Sequence, residues 1–312
     1  MKKIVLLFII TTFSFAQSKI ESNQIVDKEK FAGIIHRIDS FPTKFIVPRT
    51  VDVWLPSNYS KDKKYSVLYM HDGQMLFDAS ITWNKQEWGV DEAAGRMMAF
   101  DRSKKYIVVG IHNISEIRHS NYFPQKPFES LSEKTRDSLY QLNRFEQVKL
   151  FGKEVDSDNY IKFIVNELKP FIDSKYSTLK NASNTFIAGS SMGGLISWYA
   201  VCEYPEVFGG AACLSTHWVG VFDTVNNPIP NAFINYLKTN LPDSKSHKFY
   251  FDFGTGTLDA MYPPLQAKVD EVMQKKGYTN NNWITQKFEG AEHSENAWRV
   301  RLHIPFEFLL KK

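Results

Sequence analysis

The fold is decided by Gly189-Ser190-Ser191-Met192-Gly193, because of the segments on either side of it. Residues 185–188 are short, apolar and β-branched, which is typical of a buried strand, and residues 195–201 are typical of a buried helix. A G-x-S-x-G sequence between a strand and a helix is a nucleophile elbow, whose small residues let the chain turn sharply. The pattern therefore predicts Ser191 as a nucleophile at the carboxyl edge of a sheet.

A serine hydroxyl needs a neighbouring base, so the elbow predicts a carboxylate and then a histidine later in the chain. His293 lies in a polar loop after an apolar run at residues 283–288. His303 is the alternative base, but it lies within residues 298–310, whose apolar spacing is typical of a packed helix. Because the base belongs in a loop after the last strand, the sequence favours His293.

The acid should follow the strand between the elbow and the base. Residues 249–253 read as that strand, and the loop that leaves it ends at Asp259, which can turn toward His293 and orient the imidazole. Asp252 is the alternative acid, although it alternates with aromatic residues within the strand. Asp259 could also simply begin a helix before Pro263. We predict Asp259 as the catalytic acid.

An oxyanion hole requires two backbone N–H groups aimed at the developing negative charge. Met192 follows the nucleophile directly and should supply one of them. The second should come from the loop after the third strand, where Gly73 permits an unusual backbone angle and leaves the Gln74 N–H as the donor. A plain Asp-Gly turn is the alternative interpretation of this loop.

Together these segments resemble the Putative esterase family, the group that contains esterase D, siderophore (enterochelin) esterases and family 1 carbohydrate esterases. The resembling segments are residues 69–74, 121–124, 189–194, 254–262 and 290–293. The resemblance implies ester chemistry on an α/β-hydrolase core without a separate lid domain. It leaves the substrate open, since acyltransferases and deacylases share these motifs.

The resemblance also places the segment from Arg118 to Pro124 beside the active site. Arg118 could bind a carboxylate or sugar hydroxyls, or could brace a loop. Tyr122 is expected to line the substrate cleft with it. Trp218 could offer a flat face to a sugar or phenolic ring, as could Trp83, Trp88 and His217, although such aromatic residues also serve in packing.

The hydrophobic pattern predicts an α/β-hydrolase with a doubly wound, mostly parallel sheet of about eight strands and helices on both faces. An antiparallel hairpin is expected at one edge, followed by parallel strands; the predicted strands are residues 34–38, 50–55, 67–70, 106–111, 185–188, 210–214, 249–253 and 283–288. Helical spacing marks residues 160–174 and 265–273. Long polar connections at residues 112–159 and 217–248 are expected to form walls of the substrate cleft.

Composition is consistent with one globular domain at residues 17–312, since a chain of 312 residues with 43% hydrophobic content can bury one large core. Residues 1–16 read as a signal peptide, which predicts a periplasmic or secreted protein. The apolar part of that segment is too short for stable membrane insertion. Its cleavage leaves 36 basic and 34 acidic residues, a formal charge of +2, which gives no indication of nucleic-acid binding.

Cys202 and Cys213 both lie in apolar elements, so free buried thiols are expected, although export would permit a disulfide. No cysteine or histidine cluster has zinc-ligand spacing, and neither a metal nor a cofactor is predicted.

Three classes of function fit these observations. The first is an exported serine hydrolase that cleaves carboxylic esters through an acyl-enzyme, such as acyl or feruloyl groups on carbohydrate, with a siderophore ester as the alternative substrate. The second is an acyltransferase with the same triad. The third, a non-catalytic binding protein, is disfavoured by the set of Ser191, Asp259 and His293.

Overall fold

A computed structural model describes residues 20–25 and 32–311 of the chain, so the signal peptide predicted at residues 1–16 lies outside the described residues. The strands are β1 (Asn23–Ile25), β2 (Gly33–Phe41), β3 (Arg49–Pro56), β4 (Ser66–His71), β5 (Tyr106–Ile111), β6 (Asn143–Phe145), β7 (Val148–Lys149), β8 (Thr185–Ser190), β9 (Gly210–Leu214), β10 (Lys248–Gly254) and β11 (Trp283–Phe288). The α-helices are α1 (Val90–Ala99), α2 (Arg118–Tyr122), α3 (Gln125–Glu129), α4 (Glu133–Gln141), α5 (Ser157–Phe163), α6 (Lys169–Lys175), α7 (Met192–Glu203), α8 (Ile229–Asn240), α9 (Pro263–Lys275), α10 (Glu295–Arg301) and α11 (His303–Leu310).

The central sheet has nine strands in the order β1-β2-β3-β5-β4-β8-β9-β10-β11. The six strands from β5 to β11 in this order are parallel, whereas β1, β2 and β3 form the antiparallel edge. The mostly parallel α/β-hydrolase sheet is therefore confirmed, but its strand number exceeds the eight expected. The additional strand is β1, whose three residues pair with Ile35–Arg37 and carry too little alternation to be read from the sequence.

Helices pack on both faces of the sheet, as predicted. Neighbouring residues of β8 illustrate the two layers, because side chains alternate along a strand. Ile187 joins a core that includes Trp198 of α7, whereas Phe186 joins the opposite core with Val90 of α1. The site is therefore carried by strands that are buried on both sides.

The helix predicted at residues 160–174 is present, but it is interrupted. A π-helical turn at Ile164–Leu168 joins α5 to α6 just before Pro170. A proline within a helix has no N–H to donate, and its ring collides with the preceding turn. The π-helical turn widens the helix before Pro170, so the helix can continue through it.

The two long connections are folded segments. The first contains α2, α3, α4 and the small hairpin β6–β7, and the second contains α8. Cys202 and Cys213 are buried and free, as predicted. Within the described ranges no helix is long and apolar enough to cross a membrane.

Candidate active site

Ser191 lies at the turn between β8 and α7 with φ 56° and ψ −120°. This positive φ is unusual for a residue with a side chain and is typical of strained functional positions. Two glycines make the turn possible, since a Cβ on Gly189 would lie only 2.8 Å from the carbonyl carbon of Gly193. The Ser191 N–H donates to the Leu214 carbonyl at 2.9 Å, which ties the turn to β9. The chain thus has the backbone of a nucleophile elbow.

His293 follows β11, and its Nδ1 lies 2.5 Å from Oδ1 of Asp259, which follows β10. Asp259 is fully buried, and its Oδ2 accepts hydrogen bonds from the Gly254 N–H and the Ser215 hydroxyl, both at 2.6 Å. Burial alone would raise the pKa of Asp259, but the hydrogen bonds from His293, Ser215 and Gly254 outweigh it and lower the pKa. An ionised carboxylate therefore faces the imidazole at neutral pH.

The two alternative residues are placed elsewhere. Asp252 is buried within β10 and forms an ion pair with Arg301, with 2.9 Å between Oδ1 and Nη2. His303 begins α11 and is exposed.

Ser191 and His293 lie on the wall of one cavity of about 500 Å³ at the carboxyl edge of the parallel strands. Both long connections contribute to this wall, as expected of long polar loops. The first supplies Asn113, Ser115, Arg118, His119, Arg144 and Leu150, and the second supplies His217 and Phe222. Trp83 also lines the cavity while 84% of its surface remains exposed, so it lies at the mouth.

The two expected oxyanion donors border this cavity. Met192 is the first residue of α7, where backbone N–H groups have no partner within the helix. Within the described part of the chain, neither its N–H nor that of Gln74 donates a hydrogen bond.

The loop after β4, which carries Gln74, differs from the expectation in one respect. The left-handed residue is Asp72, with φ 57°, and not Gly73. Gly73 is needed for a different reason, since a Cβ there would lie 2.7 Å from the backbone carbon of Gly110.

Arg118 braces this loop. Its Nε and Nη2 donate to the two carboxylate oxygens of Asp72 at 2.8 and 2.7 Å. Asn113 donates to the same carboxylate at 2.6 Å through its side chain, and its N–H donates to Gln74 Oε1 at 3.1 Å. Burial alone would raise the pKa of Asp72, but Arg118 and Asn113 lower it below its ordinary value. Of the two roles considered for Arg118, the loop brace is the one with visible partners, although the residue also lines the cavity.

Tyr122 and Trp218 require a correction, because both are buried in the interior and neither lines the cavity. Tyr122 packs against His71 under the loop, and its ring lies 5.1 Å from the Arg118 guanidinium. Trp218 stacks on Trp198 and donates its indole N–H to Gln266 at 2.8 Å. Large aromatic side chains are favoured at binding surfaces and in cores alike, so residue type could not separate the two locations.

Sequence reasoning missed a buried polar pair near Ser191, formed by Tyr262 and His217. The Tyr262 hydroxyl lies 2.8 Å from Nδ1 of His217. Burial, followed by the charge of Asp259, raises the pKa of the Tyr262 phenol. Burial, followed by the charge of His293, lowers the pKa of His217 to about 3, so His217 is neutral at ordinary pH.

Three further residues near the candidate triad of Ser191, Asp259 and His293 also escaped sequence reasoning: Asp72, Asn113 and Ser215. Each lies at or just after the carboxyl end of a parallel strand, and that position was the available indication. Among the described residues, no group of three or more histidine, cysteine, aspartate or glutamate side chains could hold a metal ion.

Comparison with known proteins identifies the family to which the chain is similar. A family model described as Putative esterase matches residues 45–305. Protein YbbA of Bacillus subtilis is 27% identical over 272 residues, which cover 85% of this chain and 93% of YbbA. An endo-1,4-β-xylanase/feruloyl esterase of Xylanibacter ruminicola is 24% identical over 274 residues, which cover 84% of this chain but 29% of that enzyme. The solved ferulic acid esterase Fae1A of Anaeromyces mucronatus, in complex with ferulic acid, shares the fold with a TM-score of 0.55 at 16% identity, covering 94% of each chain.

Proposed function

Because the chain belongs to the Putative esterase family, we propose that it is a serine hydrolase that cleaves carboxylic esters through an acyl-enzyme on Ser191. The observation that carries the proposal is the 2.5 Å contact between His293 and the buried Asp259, on a cavity that His293 shares with the strained Ser191. A base oriented by a carboxylate beside a serine at an elbow is the arrangement that activates a hydroxyl.

In the first half-reaction, Nε2 of His293 takes the Ser191 proton while Oγ attacks the ester carbonyl carbon. Asp259 stabilises the imidazolium that forms. The carbonyl oxygen becomes an oxyanion and accepts hydrogen bonds from the N–H groups of Met192 and Gln74. The tetrahedral intermediate then collapses, the carbon–oxygen bond to the alcohol breaks, and the imidazolium returns its proton to the leaving oxygen.

In the second half-reaction, a water molecule takes the place of the alcohol. His293 removes a proton from the water as its oxygen attacks the acyl carbon, and the imidazolium then protonates Ser191 Oγ as the acid leaves. An alcohol in place of water would give acyl transfer by the same steps, so the acceptor decides between the two outcomes.

As substrate class we propose acyl or feruloyl esters of carbohydrate, encountered after export. The names of the Xylanibacter and Anaeromyces relatives support the feruloyl group. The cavity of about 500 Å³ suits an aryl-acyl group, and the exposed aromatic side chains of Trp83 and Phe222 at its wall offer flat surfaces for a ring.

An ester panel tests the proposal. We expect hydrolysis of acetyl or feruloyl esters by the purified protein, with a loss of activity of at least a thousandfold in Ser191→Ala and in His293→Ala. Ser66→Ala serves as the matched control, because Ser66 is a buried hydrogen-bonded serine at the opposite end of β4. Product analysis with added alcohol identifies a transferase, and preference for a siderophore ester would replace the proposed substrate class.

Trp83→Ala tests the outer wall of the cavity. If a polymeric ester lies across the mouth, the variant loses one aromatic contact with it, and KM for a feruloylated xylan should rise about tenfold. KM for a small feruloyl ester should stay unchanged. Phe100→Ala is the control, since Phe100 is an exposed aromatic residue away from this cavity. Equal changes in KM for both substrates would place Trp83 in the acyl pocket.

A further inference from the structure

Ser215 is the first residue after β9, directly beside the triad acid. It is fully buried and adopts a left-handed conformation with φ 42°. Its N–H donates to the backbone carbonyl of Asp252 at 2.9 Å, which fixes the turn to β10. The rigid turn aims the side chain at the interior between β9, β10 and α10.

The Ser215 hydroxyl has three partners. Nε1 of Trp298 donates to Oγ at 2.9 Å and Nη2 of Arg301 donates at 3.0 Å, while Oγ lies 2.6 Å from Oδ2 of Asp259. An indole N–H and a guanidinium N–H can only donate, so they occupy both acceptor sites of the hydroxyl oxygen. The hydroxyl proton is left with one acceptor, and it must point at Asp259.

This bond completes the hydrogen bonding of the triad acid. Oδ1 of Asp259 contacts Nδ1 of His293, and Oδ2 accepts hydrogen bonds from the Gly254 N–H and the Ser215 hydroxyl. Two short donors on Oδ2 fix the plane of the carboxylate and leave Oδ1 facing the imidazole. Hydrogen bonds to a charged group in a buried site are the stronger kind, so each matters to the orientation.

The donors to Ser215 are themselves held in place. Arg301 also pairs with Asp252 through its Nε and Nη2, at 3.2 and 2.9 Å. Trp298 lies edge-on to the His293 ring, with 5.0 Å between ring centroids. Both residues belong to α10, which starts two residues after His293. One serine hydroxyl therefore links the helix that follows the base to the carboxylate that orients it.

We propose that Ser215 is a positioning residue for the triad, which acts through Asp259 by donating its hydroxyl proton to Oδ2. This inference rests on the proposed function of Ser191, Asp259 and His293. Its alternative is a purely structural serine whose hydroxyl only satisfies Trp298 and Arg301.

A double-mutant cycle separates the two roles, with wild type, Ser215→Ala, Asp259→Asn and the double variant compared. The readouts are kcat and KM for 4-nitrophenyl acetate and the rate at which a fluorophosphonate labels Ser191. We expect Ser215→Ala to lower kcat and the labelling rate about tenfold, the effect of one hydrogen bond to a charged group, with KM unchanged. In the Asp259→Asn background the same substitution should have no further effect. Ser66→Ala should match wild type throughout.

A tenfold loss from Ser215→Ala in both backgrounds would overturn the proposal, because the hydroxyl would then act independently of Asp259. An unchanged kcat in Ser215→Ala would overturn it as well. If the alanine variant does not fold, Ser215→Cys keeps a small side chain of the same shape but with a weak S–H donor. Its loss of kcat must likewise disappear when Asp259→Asn is also present. A wild-type protein that no fluorophosphonate labels would instead reject the proposed function itself.

Discussion

Asp252 and Asp259 lie only seven positions apart, but their carboxylates have different surroundings and different roles. Asp252 is enclosed in the sheet by Arg301 and the Tyr250 hydroxyl, which lies 3.0 Å from Oδ2. Asp259 lies beyond the carboxyl end of β10, and its Oδ1 contacts Nδ1 of His293. The position along the strand decides the difference, because Asp252 lies inside β10 whereas Asp259 follows its carboxyl end, the edge at which open α/β sheets bind ligands.

Substitution of the two aspartates should therefore give opposite phenotypes. We expect Asp259→Asn to remain folded while kcat falls about ten-thousandfold, because an amide cannot stabilise the imidazolium or hold the right tautomer. Asp252→Asn should instead lower the free energy of unfolding by about 3 kcal/mol, since it leaves Arg301 buried without its charge partner. Chemical denaturation and steady-state kinetics on both variants check this, and the reverse pattern would make Asp252 the acid.

Chain order and strand position were enough to select Ser191, Asp259 and His293 as candidates from the sequence. The partners of Asp72 and Ser215 were not predictable in this way. Arg118 lies 46 positions from Asp72, and Arg301 lies 86 positions from Ser215, so only the folded chain brings each pair together.

At the scale of elements, the loop after β4 depends on α2. Arg118 holds both oxygens of Asp72, and Asp72 carries the left-handed turn that precedes Gln74. A planar guanidinium makes this two-point contact and an ammonium group cannot.

We expect Arg118→Ala and Arg118→Lys to lower kcat by similar factors of about tenfold, because both lose the paired contact that shapes the loop. The loss should be the same for a small ester and a polymeric ester. Kinetics with the two substrates check this. A rise in KM confined to the polymeric ester would show that Arg118 binds substrate directly.

The same ion pair predicts a pH dependence of stability. The folded pKa of Asp72 is lowered by Arg118 and Asn113, against the effect of burial. The contribution of ionised Asp72 to folding stability is therefore complete above its pKa in the unfolded chain, about 3.9. This contribution is lost as the pH falls through its lower pKa in the folded protein. Between pH 5 and pH 3, the free energy of unfolding of Asp72→Asn should fall less than that of wild type. Urea unfolding at both pH values measures this, and an equal fall would contradict the pairing.

Most elements were predictable because their periodicity is strong. The parallel strand predicted at residues 210–214 has the observed bounds, and the hairpin strands predicted at residues 34–38 and 50–55 extend by only a few residues to become β2 and β3. The elements β1, β6 and β7 were missed, because two or three residues cannot show an alternation.

For the whole molecule, the parallel strands are packed between two layers of core, and their carboxyl ends and the two long connections border one cavity. Burial of the strands fixes the positions of the loops that carry Ser191, Asp259 and His293. The size of the cavity and the exposure of Trp83 depend on how those connections fold, and no local sequence pattern encodes that. The fold class therefore followed from the sequence, whereas the shape of the cleft did not.

The central claim is that Ser191 forms a covalent acyl-enzyme, and mass analysis after reaction with a fluorophosphonate tests it most directly. We predict one adduct per chain, located on the peptide that contains Ser191, with complete loss of labelling in Ser191→Ala. The probe reacts only with a serine whose proton a base can take, so His293→Ala should slow labelling by several powers of ten. Labelling at Ser190, or undiminished labelling of Ser191→Ala, would contradict the account.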